Sequence, residues 1–161
     1  MKSKFFSHAA AAFFALAITA KVSAQEQVLP PVTVTTTSNV NKAVSKSFQS
    51  AFKDATNTQW YKVNRNYLAT FITNDQKNRA LFQKNGYLIY HITYGKENNM
   101  PDDVRKLVKS NYVDYNITSA INVQESGRNI WVVNLETDKK LILARVEDGA
   151  LEEVGNYDKS M

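Results

Sequence analysis

Two stretches of this chain, about sixty residues apart, follow one plan, and that doubling limits the possible folds more than any other feature. Residues 79–94 read RALFQKNGYLIYHITY. This predicts two strands joined at Asn85-Gly86, because a tight two-residue hairpin turn needs positive φ at both central positions and Asn-Gly tolerates that best. Residues 139–154, KKLILARVEDGALEEV, repeat the plan: an apolar-rich strand, a short charged run, an Asp148-Gly149 turn and a second strand. A helical period precedes each hairpin region. Val44, Phe48, Ala51, Phe52 and Ala55 fall on one stripe of a helix expected over residues 42–55, with Asn41 or Asn39 placed to cap it. Val104, Leu107, Val108 and Tyr112 form the stripe of a second helix, in which Pro101 suits the first position and Asp102 and Asp103 suit the first turn.

Between these landmarks the period shortens to two. Strands are expected at residues 59–63 and 67–73 across an Asn64-Arg65-Asn66 turn, then a polar turn at 74–78 leads into the first hairpin. In the second half, strands at 117–125 and 129–136 flank Ser126-Gly127, and the last hairpin runs to Asp158. The sum is α+β: two tandem helix-plus-four-strand antiparallel units, at 42–98 and 99–158, forming one domain with its helices on one face of the sheet.

Residues 1–24 carry Lys2 and Lys4 ahead of an apolar run and close on Val22-Ser23-Ala24, the pattern of a cleaved secretory leader. The run is broken by Thr19 and Lys21 and falls short of the roughly 20 apolar residues of a spanning helix, so no membrane span is expected once the leader is removed. This places the protein in the periplasm or the extracellular medium. Lys2, Lys4 and Lys21 would leave with the leader, so the 20 Lys+Arg fall to seventeen against 15 Asp+Glu, too even a balance to argue for a nucleic-acid partner. The chain has no Cys, which excludes disulfides and thiolate metal sites and leaves stability to the hydrophobic core. Residues 25–41, rich in Thr, Val and Ser around Pro30-Pro31, read as a flexible linker; the alternative is an edge strand built on Val32 and Val34, or one that joins a partner's sheet.

The residues needed for catalysis do not assemble in the sequence. His91 is the only His after the leader, and with no Cys and no Ser in a nucleophile-elbow setting it reads as a packed or surface strand residue. Asp102-Asp103 and Glu152-Glu153 lack the spacing of a calcium loop, and the glycines occur singly at turns rather than in a phosphate loop, so neither metal nor cofactor is expected and the chain reads as a non-enzyme. Aromatic side chains are the remaining candidates for function. Trp60 reads as core, whereas Tyr61, Tyr87, Tyr90, Tyr94 and Trp131, all expected on strands, are the candidate partner-binding residues, since Tyr and Trp bury large area yet keep a polar handle.

Several of these residues also form a pattern. Phe52-Lys53-Asp54-Ala55, Trp60 and then Ala69-Thr70-Phe71 resemble the opening of the PepSY-like, β-lactamase-inhibitor-like family of secreted bacterial proteins, in which a Phe-Pro-x-Ala segment is followed by a Trp and an Ala-x-Phe strand. Lys53 stands where that family has Pro. Tyr112-Val113-Asp114-Tyr115 resembles its Tyr-Pro-Gly-Tyr turn, with Val113 and Asp114 in place of Pro and Gly, and the two hairpin turns match its Asp-Gly turns. The resemblance spans about residues 44–154. It implies a small α+β envelope or extracellular domain that binds, or inhibits, a protein or peptide, with no catalytic residue to carry over. The rival expectation is a structural or chaperone-like envelope protein tethered through residues 25–41.

Overall fold

The computed structural model describes residues 32–159; the expected leader and the first residues of the expected linker lie outside that span. Nine strands and two helices follow in the order β1 (Val34–Thr36), α1 (Lys42–Ala51), β2 (Thr56–Val63), β3 (Asn66–Thr73), β4 (Gln76–Phe82), β5 (Leu88–Gly95), α2 (Asp102–Asn111), β6 (Asn116–Glu125), β7 (Arg128–Glu136), β8 (Lys140–Glu147) and β9 (Ala150–Asp158). All nine strands pair in sequence order into one antiparallel sheet. The molecule is therefore mainly sheet. Pairing does not break between the halves, because β5 and β6 are in continuous register from Tyr90↔Glu125 to Gly95↔Ala120. Among the described residues no helix is long and apolar enough to cross a membrane.

Both helices cover the same face of this sheet. Cross-strand register carries that face from Ala69 and Ala80 to His91 and Thr93, then to Asn122, Trp131 and Val146. Under α1, Val44 and Phe48 pack on Ala69, Phe71, Ala80 and Phe82. Phe48 meets Trp60 and Phe71 edge-on at 5.1 and 5.0 Å, contacts that add about 0.5–1.5 kcal/mol each beyond the area they bury, and Trp60 joins this core as expected. Under α2 the core is aliphatic: Val108 packs with Ala120, Val133, Leu135 and Ile142.

Helix α1 is capped by Asn41, whose side-chain oxygen accepts the Ala43 N–H at 2.9 Å. It ends at Ala51, four residues earlier than the stripe predicts, but Phe52 and Ala55 still pack against its core from the turn that follows. Pro101 is the N-cap of α2 rather than its first helical residue; Asp102 and Asp103 occupy the first turn and Lys109 the last, each at the end the helix dipole favours.

Three expectations need correction. Residues 34–36, within the segment read as linker, form the edge strand β1, in register Val34↔Val63 and Thr36↔Tyr61. The short β-branched run satisfies the otherwise bare edge of β2 within the same chain rather than in a partner. The turn expected over 74–78 is only Asn74-Asp75, both at positive φ (48° and 59°), so β4 begins at Gln76. Asn78 is polar because it is a buried pin between strands. Its amide donates to Thr73 Oγ1 and to the Gln76 carbonyl, and its oxygen accepts from Thr93 Oγ1 at 2.9 Å and lies 3.0 Å from His91 Nε2.

The two hairpins are also less alike than their sequences. Asp148-Gly149 is a two-residue turn with both φ positive, 49° and 76°. At Asn85-Gly86 only the glycine has positive φ (89°), the Gly86 N–H donates to the Gln83 carbonyl and the Gln83 N–H to that of Tyr87. The result is a three-residue loop with glycine in the bulge position. That loop reaches α1: a Cβ on Gly86 would lie 2.6 Å from Ser47 Oγ and 2.8 Å from the Ala43 carbonyl, whereas one on Gly149 would meet nothing within 4 Å.

Two predictions follow from this packing. Gly149→Ala should cost about 1 kcal/mol, the penalty of a left-handed backbone alone. Gly86→Ala adds a clash with α1 and should cost about 2–4 kcal/mol in urea unfolding; equal losses at the two sites would mean the loop does not hold the helix. The second prediction concerns His91, which lies between Phe52 (4.7 Å) and Phe71 (6.1 Å). Burial pushes its pKa below the ordinary 6.5, partly offset by a hydrogen bond to Gln124. The unfolded chain then binds the proton more readily, so stability is full above about pH 6.5 and declines as pH falls below it. His91→Gln should flatten the slope of unfolding free energy against pH between about pH 6.5 and 5.5, and an unchanged slope would remove His91 as its source.

Candidate binding face

With both helices on one side, the other side of the sheet is left without a covering element among the described residues. Its side chains are set by the same alternation. One row runs Tyr61, Leu68, Leu81, Tyr90; the next Gln59, Thr70, Arg79, Ile92, Val123, Ile130; and a third Ile72, Lys77, Tyr94, Ile121, Val132. The apolar members of these rows are half-buried by their neighbours rather than by a second layer.

Three of the five candidate residues come together here. Tyr61 on β2 and Tyr94 on β5 line one cleft of about 470 Å³ with Gln59, Ile72, Lys77 and Arg79, and Tyr90 stands four residues before Tyr94 on β5, on the same face. The Tyr61 hydroxyl donates to Gln59 Oε1 at 2.9 Å, and the Arg79 guanidinium lies 5.5 Å from the Tyr94 ring centre, in range of a cation–π contact. Burial raises the Tyr90 pKa above the usual phenol value against the opposing pull of Arg79, so this hydroxyl stays protonated and able to donate at neutral pH.

The other two candidates are elsewhere. Tyr87 is not on a strand: it belongs to the loop between β4 and β5, is 54% exposed, and borders a separate cleft of about 590 Å³ against the β6–β7 turn. Trp131 is on β7 but faces the helices, opposite Asn122 and Val146, and packs against the α2 core. Its indole N–H is buried with no acceptor among the described residues. Both faces of β7 carry apolar residues, so alternation alone did not assign the face of Trp131.

Lys77 and Arg79 are the residues that sequence reasoning missed: a turn was expected over Lys77, and Arg79 was read only as the first residue of the hairpin strand. The available signal was the charge distribution. Between residues 32 and 99 the chain has nine Lys and Arg against three Asp and Glu; between 100 and 159 it has eight against eleven. Ion pairing follows the same division, because every ion pair among the described residues joins side chains lying between Glu97 and Lys159. Arg128, for example, grips both oxygens of Glu147 at 2.6 and 2.8 Å, which holds that carboxyl below its ordinary range. Among the described residues, no three His, Cys, Asp or Glu side chains converge as a metal site would require.

No family model matches the sequence. No curated protein matches it. Solved structures do resemble it in fold. A protein described as BLIP-like from Bacteroides fragilis superposes with a TM-score of 0.60 at 17% identity, over 74% of this chain and 86% of its own. A DUF2874 family protein from Bacteroides ovatus gives 0.60 at 16% identity, over 76% and 89%. A candidate periplasmic protein from Bacteroides eggerthii gives 0.57 at 14%, over 74% and 89%. These matches bear out the β-lactamase-inhibitor-like side of the resemblance and do not extend to its PepSY side, and at such identities what they establish is architecture: the chain has the BLIP-like fold seen in these Bacteroides proteins.

Proposed function

We propose that this protein is a secreted, non-enzymatic binding module of the cell envelope or medium that docks a protein or peptide on the open face of its sheet, with inhibition of that partner as one form the activity can take. The observation that carries the reading is the row structure of that face. Tyr61, Tyr90 and Tyr94 stand among Leu81, Ile92 and Val123 with no element covering them among the described residues. Such a surface offers large apolar area with hydroxyl handles, the composition enriched where proteins meet. An envelope location is supported by the leader pattern and by the fold neighbour described as a candidate periplasmic protein. The non-enzymatic reading rests on the sequence, which supplies no nucleophile with a base, and on His91, which is enclosed by Phe52, Phe71 and Asn78 on the helix side.

Affinity capture from envelope and medium fractions, with the mature chain as bait, tests this reading when it is paired with variants. The joint substitution Tyr90→Ala and Tyr94→Ala should weaken a stoichiometric partner by about thirtyfold or more, as loss of a central aromatic anchor does. Val113→Ser, at an exposed position just after α2, should leave the partner bound. A partner held equally by all three proteins would place the docking surface elsewhere. If deletion of residues 25–31 released the partner from a folded domain, the tethered structural role would take precedence.

A further inference from the structure

The charge on the open face is divided as well as its chemistry, and from that division we infer that the partner presents an acidic, extended peptide segment to the β2–β5 side, bound by Lys77 and Arg79. The inference rests on the open-face reading above and names the partner's chemistry. Lys77 and Arg79 are exposed, alternate on β4, and take part in no ion pair among the described residues, while on the β6–β9 side of the sheet Arg128, Lys140, Arg145 and Lys159 are paired with Glu147, Asp158, Glu152 and Glu136. Their spacing of two residues along a strand, roughly 7 Å, equals the spacing of carboxylates at alternate positions of an extended chain. Arg79 is held in place by its contact with Tyr94, which leaves guanidinium N–H edges free to grip a carboxylate in the two-point manner Arg128 already uses on Glu147. Tyr61, Ile72 and Tyr94 give the cleft apolar walls for the side chains between those carboxylates.

The alternatives fit less well. A long polyanion such as a nucleic acid or an acidic polysaccharide would run onto residues 100–159, where acids outnumber bases. In a second copy, Glu147, Asp158, Glu152 and Glu136 are already engaged with Arg128, Lys140, Arg145 and Lys159, and self-association is one of the outcomes tested below.

The test is fluorescence anisotropy on the mature chain with four labelled probes: a short peptide alternating glutamate and valine, its glutamine counterpart, an oligothymidylate and an oligogalacturonate. The glutamate peptide should bind at least about tenfold more tightly than each other probe and weaken as salt is raised. Lys77→Glu with Arg79→Glu should abolish that preference, and Lys106→Glu on α2 should not, with unfolding curves confirming that each variant is folded. Equal binding of the glutamate and glutamine peptides, or tighter binding of either polyanion, overturns the inference. So does self-association of the wild-type chain that the Lys77/Arg79 reversal removes. The two proposals fail separately. A captured natural partner lost on Tyr90→Ala/Tyr94→Ala but kept on charge reversal leaves the open face standing without the acidic segment, and one kept by both sets of variants overturns both.

Discussion

A nine-stranded antiparallel sheet has two faces, and the described residues supply two ten-residue α-helices, each about 15 Å long, to cover them. Because side chains alternate strictly between faces, that shortage decides most of what the molecule is. Both helices settle on the side where small residues, Ala69, Ala80, Ala120 and Ala144, let them approach the strands. The opposite side must then hold its apolar residues by lateral packing alone. Cross-strand neighbours such as Leu81 and Tyr90, or Val123 and Ile130, shield one another enough to stay half-buried, but not enough to remove the surface from contact with another molecule.

The two halves solve the same packing problem with different materials. Around α1 the core is a ring cluster closed from above by the loop that carries Gly86. Around α2 it is built from Val, Leu and Ile, and the two-residue turn at Asp148-Gly149 stops short of the helix, leaving a cleft of about 450 Å³ between Val104, Leu107, Trp131 and Val146. Electrostatics differ in the same way. The second half ties several of its charges into pairs across neighbouring strands, whereas the cations between residues 32 and 96 join no ion pair among the described residues.

Much of this could be read in the residues themselves, and the failures have physical causes. The helix stripes, the Trp60 core position, the turns at Ser126-Gly127 and Asp148-Gly149 and the one-sided placement of helices follow from period and turn chemistry. β1 was legible only as the alternative to a linker, because three residues of Val and Thr carry little apolar weight to signal a strand; what makes them one is the free edge of β2, a tertiary fact. Asn78 misled because a polar residue beside Asn74-Asp75 looks like turn, while its burial is compensated by partners on strands either side that no local window contains. Of the candidate site, Tyr61, Tyr90 and Tyr94 were identifiable as strand aromatics, but their union across β2 to β5 depends on register. Trp131 lies on the opposite face, which alternation could not assign because both faces of its strand are apolar, and Tyr87 lies in the loop because the bulged turn at Gly86 is longer than an Asn-Gly pair suggests.

The strictly sequential strand order bears on how the chain reaches this state. Each strand pairs with the one made just before it, and even the joint between β5 and β6 spans only one short helix. Closing such small loops costs little entropy, so the sheet can lengthen strand by strand from its N-terminal side, and its folding rate should resemble that of proteins dominated by local contacts rather than of Greek-key sandwiches. A growing sheet of this kind always has an exposed last strand. Among the described residues that strand is β9, where Glu152, Glu153 and Asp158 set charge along the edge and a break in register near Gly155 disrupts its pairing with β8, two features that disfavour the addition of a further strand there.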